Sequence, residues 1–273
     1  MASIVRDNTI INFDRIVFYG CSITAGSEIG NELFLNNDYK RKFDISDIDK
    51  IKKQHTRKLF IEKYINSDVS FEEIENYSKT KSWANKLAQL FNVDCDNRSV
   101  PAGNNQLSVY NIELDLSASL IKDTDLVIVG ISPYERWMWI DKNGNTHKTI
   151  FDWKHDWPST KFYNEFLLYI SNVNQYFFNT FLSLKHLNFL SKQLNNRILL
   201  QFMHRPWVVD PLLENKYKNL SNEVFKLSSI IDCNYSFSQI VKNWDDDVHG
   251  YSHPKEHHHS IMANYLYNKL CHR

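Results

Sequence analysis

Two residues of this sequence could carry nucleophilic chemistry together, although they stand near opposite ends of the chain. Ser22 lies in the segment YGCSITAG at 19–26, directly after a short apolar run, and His253 precedes Pro254. A serine hydroxyl is a weak nucleophile until a base removes its proton during attack, and an imidazole can be that base near neutral pH. A serine and a histidine paired in this way would attack a carbonyl carbon and then protonate the leaving group, so Ser22 and His253 are candidates for that chemistry.

Attack on a carbonyl creates a negatively charged oxygen, and residues after two further predicted strands could bind it. Gly103 and Asn104 follow the short strand candidate at 93–99, and Ser132 follows the apolar run at 125–131. The backbone N–H groups of Ser22 and Gly103 are candidate donors, and each such donor is typically worth ~2.7–4 kcal/mol of transition-state stabilisation. A glycine suits position 103 because a side chain would obstruct the approach of a substrate carbonyl. We predict an oxyanion site made by these residues.

The elements that would bring these residues together are short apolar strands alternating with amphipathic helices. The clearest strand is the fully apolar run DLVIVGI at 125–131, which is typical of a parallel sheet covered on both faces. Further predicted strands are 15–20, 93–99 and 197–203, and predicted helices are 83–91, 107–121, 161–195 (continuous or broken near 179), 213–228 and 255–271. This alternation predicts an α/β fold with a parallel sheet, whose ligands bind beyond the carboxyl ends of the strands.

Two segments do not fit this alternation. Residues 28–77 are rich in Asn, Asp, Lys and Glu, and we expect a partly helical surface insertion there that could act as a lid. Residues 133–159 carry four tryptophans among polar residues and are predicted to form an aromatic-rich loop. A chain of 273 residues can bury one full core, so we expect a single domain over 1–273 that carries both segments.

The net charge of the chain bears on which partners it could bind, and its cysteine content bears on the cellular compartment. Thirty-two Lys and Arg balance 32 Asp and Glu, and this net charge of zero argues against a nucleic-acid-binding module. The four cysteines lack CxxC spacing and are expected to be free thiols, which favours a reducing compartment. The N-terminal segment lacks the apolar run of a signal peptide, and no window is apolar enough for a membrane span. The cytoplasm is the default compartment on these grounds, although unpaired cysteines do not exclude secretion, and we expect no cofactor.

The segments around Ser22, Gly103 and His253 resemble the sequence blocks of the SGNH/GDSL hydrolases. That family places its nucleophilic serine after the first strand in a G-D-S or G-C-S setting, commonly followed by T-x-G, and YGCSITAG matches this block. Its second block supplies an oxyanion glycine after a helix and a strand, and 82–104 matches it in order and spacing. Its last block is His-Pro followed by a helix with H-x-x-x-A, which HSIMA at 259–263 matches.

The resemblance implies both a fold and an activity. The implied fold is a three-layer α/β/α arrangement with a flavodoxin-like parallel sheet. The implied activity is that of a carboxylic-ester hydrolase, either an esterase or an acylhydrolase, with Ser22 as nucleophile, His253 as base and Gly103 in the oxyanion hole. The likeness covers roughly 13–27, 80–132 and 195–270, so it leaves the polar insertion and most of the aromatic-rich loop without a counterpart.

One departure from the family's pattern concerns the oxyanion hole. The third block normally carries Gly-x-Asn, whose side-chain amide donates to the oxyanion, but this chain has Ser132 at that position. The serine hydroxyl can donate one hydrogen bond but reaches less far than an amide. Either Ser132 takes the role itself, or Asn104 or Asn105 supplies the missing amide.

A second departure concerns the group that orients the base. The family's triad acid usually lies three residues before the histidine, where this chain has Gly250. Asp247 could orient His253 if the intervening segment loops out, or a backbone carbonyl could do so in a Ser–His dyad. Loss of a triad carboxylate can cost ~10⁴ in rate, so the choice matters for catalysis.

Three adjacent histidines, His257 to His259, raise the question of a metal site. Adjacent side chains point around a helix rather than converge on one ion, and the sequence has no HExxH pattern. We therefore expect no metal site here. His259 is expected to pack at the polar helix position that is usual in the family.

Tryptophans bear on the substrate class. Five of the seven lie in segments expected on the active-site side, where aromatic faces suit sugar rings; they are Trp137, Trp139, Trp153, Trp157 and Trp207. The resemblance makes a carbohydrate ester, such as an O-acetyl group, a natural substrate, with a small acyl ester or lipid as the other option. Two alternatives stay open: a catalytically silent glycan-binding module, favoured by Gly250 and Ser132, and an acyltransferase that releases the acyl group to an alcohol.

Overall fold

The elements of the chain alternate between strands and helices, as the sequence pattern predicts. The computed structural model describes residues 1–6, 8–26, 29, 71–100, 103–132, 136–140, 146–150, 173–203, 222–224, 226–232, 234–241 and 254–271, with the backbone alone for 71–75, 136–140, 146–150 and 173–177. The strands are β1 Ala2–Arg6, β2 Thr9–Phe13, β3 Arg15–Tyr19, β4 Asp94–Asn97, β5 Asp125–Ile131, β6 Arg136–Ile140, β7 Thr146–Ile150 and β8 Ile198–Phe202. The helices are α1 Ser22–Ala25, α2 Phe71–Lys81, α3 Trp83–Phe91, α4 Asn105–Ser117, α5 Val173–Gln193, α6 Phe237–Ile240 and α7 Glu256–Cys271.

Four parallel strands form the central sheet in the order β4-β3-β5-β8. A parallel bridge between Leu200 and Ile230 extends the sheet beyond β8. Counted along the chain, the sheet order is second, first, third, fourth, which is the flavodoxin-like arrangement, so the predicted fold class is confirmed. In such a sheet the ligand crevice lies beyond the carboxyl ends of the first and third strands. Here these strands are β3 and β5.

Helices cover both faces of the sheet, which explains why β5 is buried at every position. On one face, Phe18 and Ile128 share a core with Trp83 of α3 and Leu266 of α7. On the other face, strand residues share a core with α4 and α5; they include Val17, Val129, Leu200, Ile112 and Leu184. The result is three layers, α/β/α, as the sequence resemblance implies.

Two antiparallel hairpins add to this frame. β1 pairs with β2 before the sheet begins, and β6 pairs with β7 directly after β5. The second hairpin lies within 133–159, so the prediction of a loop over that whole segment was wrong. The sequence carries a signal for it, because Asn143-Gly144 favours a hairpin turn and lies between the aromatic segment RWMWI and the Thr- and Ile-containing segment THKTI.

Helix boundaries differ from the predicted ones where a cap decides them. α4 ends at Ser117 rather than reaching 121, and Ser119 follows with a φ of 56°, a left-handed conformation that ends a helix. α2 begins at Phe71, so the last residues of the predicted insertion 28–77 are helical, as expected. Within the described residues, none of the helices is long and apolar enough to cross a membrane.

Candidate active site

Ser22 begins the one-turn helix α1, just beyond the end of β3. Cys21 caps this helix in an extended conformation, and Gly26 ends it with a φ of 75° and donates its N–H to the carbonyls of Ser22 and Ile23. Ser22 is only 5% exposed. A single turn carries little of a helix dipole, so the dipole contribution expected at Ser22 is small, and direct hydrogen-bond donors must carry more of the oxyanion stabilisation.

Two glycines at strand ends allow α1 to pack directly onto the sheet. A Cβ at Gly130 would stand 2.0 Å from Thr24 Oγ1, and a Cβ at Gly20 would stand 2.6 Å from the same atom. Gly20 also has a φ of 150°, which side chains rarely adopt. The Thr24 side chain therefore fills the space that these two glycines leave. Its packing holds Ser22 beside the ends of β3 and β5, where the ligand crevice of this fold is expected.

The loop after β4 brings Gly103 against the end of β3. A Cβ at Gly103 would stand 2.6 Å from the carbonyl oxygen of Gly20 and 2.8 Å from that of Val100. The Gly103 N–H, which the sequence predicts as an oxyanion donor, donates to Val100 O at 2.8 Å. This donor therefore closes a turn here, and a substrate oxygen would have to share it or redirect it.

Ser132 lies at the end of β5 and contacts the same loop. Its side chain is buried, and its Oγ donates to the carbonyl oxygen of Gly103 at 3.0 Å. A serine hydroxyl has one proton to donate, so an oxyanion could receive it only after this bond breaks. Ser132 as an oxyanion donor stays a prediction, whereas its bond to Gly103 ties the end of β5 to the loop after β4.

The two asparagines that follow Gly103 differ in what their amides do. Asn105 accepts the Ser132 N–H on Oδ1 at 2.8 Å and donates Nδ2 to the Ser132 carbonyl at 3.1 Å. Asn104 caps α4, because its Oδ1 accepts the N–H of Leu107 at 2.8 Å. Its Nδ2 is buried and has no hydrogen-bond partner among the described residues. An unpaired buried N–H costs free energy, so this group requires an explanation.

A charged network holds the carboxyl end of β3 from the side of α4. The Tyr19 hydroxyl donates to Asp115, and Arg98 pairs with Asp115 at 2.6 Å and with Asp96 at 2.7 Å. Burial, together with the hydrogen bond to Asp115, raises the pKa of Tyr19 above its ordinary value. Tyr19 therefore stays protonated and keeps donating at neutral pH, directly before Gly20.

The other half of the predicted catalytic machinery lies outside the described residues. This applies to His253, to Gly250 and to Asp247. Pro254 is described and buried, and α7 begins two residues later. The predicted pairing of His253 with Ser22 and the group that orients the base therefore stay predictions.

The histidines at the start of α7 have separate environments. His259 is fully buried, and its Nδ1 accepts the N–H of Trp83 at 3.0 Å, so it packs at the helix interface as expected. His257 is exposed and contacts His258, with the two rings tilted by 46° at a centroid distance of 3.7 Å. Within the part of the chain that the structure describes, no three His, Cys, Asp or Glu side chains are grouped as metal ligands would be.

Sequence reasoning missed the distinct parts that Thr24 and Asn105 play at the strand ends. Thr24 appears in the sequence only as the third residue of an S-x-T segment, and its packing against two glycines depends on the fold. Asn105 was grouped with Asn104 as a possible source of an amide. The signal that separates them is the start of the helix. In an asparagine that caps a helix, Oδ1 accepts a backbone N–H and Nδ2 can donate to other partners.

Comparisons with solved structures find similarity to this chain at low sequence identity. No family model matches the sequence, and no curated protein does. Among solved structures, TesA is similar at a TM-score of 0.49 and 10% identity, over 94% of this chain and 97% of that one. The esterase EstA from Pseudoalteromonas sp., in a structure inhibited by monoethylphosphonate, is similar at 0.46 and 9% identity, over 94% and 96%.

A member of the lipolytic protein G-D-S-L family from Veillonella parvula DSM 2008 is similar at a TM-score of 0.39 and 14% identity, over 92% of this chain and 94% of that one.

Proposed function

We propose that this chain is a serine ester hydrolase with Ser22 as its nucleophile. The observation that carries the proposal is the convergence of Ser22, the Gly103 loop and Ser132 beyond the carboxyl ends of three adjacent strands, β3, β4 and β5. That edge is where an α/β sheet of this order binds ligands. A buried serine at this edge suits acyl transfer, which needs a nucleophile together with groups that stabilise the developing charge.

In the proposed reaction Ser22 Oγ bonds to the ester carbonyl carbon while its proton moves to His253. The resulting tetrahedral intermediate expels the alcohol, which takes the proton back from His253 and leaves acyl-Ser22. A water then attacks the acyl carbon with the same base, and the acid and free Ser22 are released. His253 has this role on the sequence resemblance, with Asp247 or a backbone carbonyl orienting its ring.

The oxyanion would be held by the backbone N–H groups of Ser22 and Gly103 and by the side-chain amide of Asn104. Asn104 is included because its buried Nδ2 lacks a partner among the described residues, next to Gly103. Ser132 is proposed to support this site through its bond to the Gly103 carbonyl rather than to donate to the oxyanion. No cofactor enters any step of this scheme.

We propose a small acyl ester of a carbohydrate, such as an acetyl ester, as the substrate class. The support is the composition of the segment after β5, in which Trp137 and Trp139 lie on β6, a few residues beyond Ser132. Aromatic faces at the mouth of a crevice suit sugar rings. The balanced net charge does not favour a polyanionic substrate such as nucleic acid.

The test is covalent labelling of Ser22 with a fluorophosphonate, read by intact mass, together with hydrolysis of p-nitrophenyl acetate. We expect one adduct per chain and turnover in the wild type, and neither in Ser22→Ala. Ser99→Ala is the matched control, because Ser99 is a buried serine whose Oγ also lacks a partner among the described residues. Labelling and turnover should survive that change.

Two outcomes would redirect the proposal. Binding of acetylated glycans that Ser22→Ala leaves unchanged, without turnover by the wild type, would indicate a silent binding module. Product that forms only when an acceptor alcohol is present would indicate an acyltransferase, in which an alcohol replaces water in the second step.

A further inference from the structure

We propose that Asn105 is a positioning residue that sets the geometry of the oxyanion site without touching the substrate. The inference rests on the proposed function, because it concerns how the donors of that site are held. It assigns Asn105 a role different from that of its neighbour Asn104. Asn105 is hydrogen-bonded to the backbone of Ser132, and the Ser132 side chain is hydrogen-bonded to the Gly103 carbonyl.

The first step is the contact between Asn105 and Ser132. The Asn105 amide pairs with both backbone groups of Ser132, accepting its N–H at 2.8 Å and donating to its carbonyl at 3.1 Å. A side-chain amide that bonds to both backbone groups of one residue mimics the pairing of a neighbouring strand. The backbone at the carboxyl end of β5 is thus held where β8 no longer pairs with it, since their register ends at Ile131 and Phe202.

The second step leads from Ser132 to the oxyanion loop. Ser132 Oγ donates to the Gly103 carbonyl at 3.0 Å, and Asn105 lies two residues further along the chain from Gly103. The hydrogen bonds among these three residues, together with the chain from Gly103 to Asn105, form a closed ring. This ring links the end of the loop after β4, the start of α4 and the end of β5. Loss of the Asn105 hydrogen bonds would free the Ser132 backbone to move. The Gly103 peptide, which is bonded to Ser132 and lies against Gly20 at the end of β3, would then move with it.

The third step concerns the burial of this ring. Asn105 is 3% exposed and Ser132 is 2% exposed, so water cannot readily replace their hydrogen bonds. Asn105 Nδ2 also lies 3.4 Å from Thr180 Oγ1 of α5, which brings a third element to the same amide. Both ends of the Asn105 amide are thus engaged by protein groups, whereas the Nδ2 of Asn104 has no partner among the described residues.

The test compares kcat and KM for p-nitrophenyl acetate in Asn105→Ala, Asn105→Asp and Asn188→Ala, well below their unfolding temperatures. Asn188 is the matched control because it is also buried and its Oδ1 also accepts a backbone N–H, that of Ser229 at 3.3 Å, on another part of the fold. Displacing catalytic donors by about 1 Å can cost ~10²-fold in rate. We expect Asn105→Ala to lower kcat by about 10- to 100-fold with little change in KM.

Asn105→Asp separates positioning from simple loss of volume. It keeps an acceptor for the Ser132 N–H but places an oxygen against the Ser132 carbonyl, so kcat should again fall although the shape is retained. The rate of fluorophosphonate labelling at Ser22 should fall with kcat in both variants, because the tetrahedral adduct needs the same donors. If the alanine variant does not fold, the aspartate variant carries the test.

Equal losses of kcat per folded molecule in Asn105→Ala and Asn188→Ala would overturn the inference, as would full activity in both Asn105 variants. The proposed function fails in a different way, through turnover that persists in Ser22→Ala. The two failures can therefore be told apart in one set of assays.

Discussion

The carboxamide of Asn104 has one engaged end and one end without a partner in the described part of the chain. Its Oδ1 caps α4 through the Leu107 N–H, and this bond fixes the direction of the whole amide. Its Nδ2 is thereby held in a buried position beside Gly103. A donor that is held in place by a cap needs no rearrangement to receive charge, which is the property that makes an oxyanion site effective.

At this scale we predict that Asn104→Ser and Asn104→Asp separate capping from catalysis. Both replacements keep an oxygen that can cap α4, so the free energy of unfolding should change little. Both remove the NH₂ group, so kcat for p-nitrophenyl acetate should fall by about 10²-fold. Thermal unfolding checks the prediction for stability, and steady-state kinetics check the prediction for kcat. Full kcat in the uncharged variant Asn104→Ser would contradict the catalytic role given to Asn104.

Among the elements, helix α7 has the clearest polar anchor. Asp232 is nearly fully buried and accepts hydrogen bonds from the Tyr265 hydroxyl and from the N–H of Asn234, and Lys269 lies 3.3 Å from it. Burial acts to raise the pKa of Asp232, but these donors outweigh it and the pKa is lowered. Asp232 follows the segment at Ile230 that pairs with β8 at the edge of the sheet. Its bonds therefore hold α7, which begins just after His253-Pro254, against that segment.

We predict that Asp232→Asn lowers the free energy of unfolding by about 2 kcal/mol at pH 7, since it removes charge-assisted hydrogen bonds. Because the Asp232 pKa is lower in the folded state than its ordinary value of about 3.9, the charged carboxylate contributes its full stabilisation at pH values above about 3.9. This contribution is lost as the pH falls through the lowered pKa of the folded state. The difference between wild type and variant should therefore shrink in acid. Urea unfolding between pH 7 and pH 3 measures it.

A control for this anchor is Glu223→Gln. Glu223 is half exposed and pairs with Lys185 at 3.6 Å and Lys226 at 3.5 Å, so its loss should cost less than about 1 kcal/mol at any pH. A pH-independent loss in Asp232→Asn would mean that volume or packing, not the charge, holds α7 in place.

At the scale of the molecule, the N-terminal hairpin and the C-terminal helix share one hydrophobic core. Ile4 and Phe13 of the hairpin belong to the same buried cluster as Met262 and Leu266 of α7. Arg6 adds a polar link, because its buried guanidinium donates to the carbonyls of Ser228 and Ile230 beside β8. The two chain ends are therefore expected to unfold together.

We predict that Arg6→Met lowers the stability of the whole fold by about 2–3 kcal/mol, because it leaves buried carbonyls without their charged donor. Circular dichroism and amide exchange at Ile231, whose N–H donates to Leu200 O within the sheet, should report the same loss. Lys226→Met removes a charge that is 74% exposed and should change little. Local loosening of the hairpin alone, with full protection at Ile231, would contradict a shared core.

The sequence by itself determined the alternation of helices with the four strands of the central sheet, though not the two hairpins, and it predicted the places where chemistry could occur. Apolar runs such as 125–131 predict buried strands because only a sheet covered on both faces tolerates them, and strand ends are where such a fold binds ligands. These patterns therefore predict that Ser22, Gly103 and Ser132 lie near one another. Local patterns suffice for this, because they depend on neighbours along the chain.

Only the tertiary structure decided how the polar groups at these strand ends divide their hydrogen bonds. The Gly103 N–H turned toward Val100, the Ser132 hydroxyl toward Gly103 and the Asn105 amide toward Ser132, and two of these three bonds join segments that are distant in sequence. A hydrogen bond has a direction and a limited number of protons, so its partner depends on which groups folding brings within about 3 Å. Sequence spacing alone could not distinguish Asn104 from Asn105 for this reason.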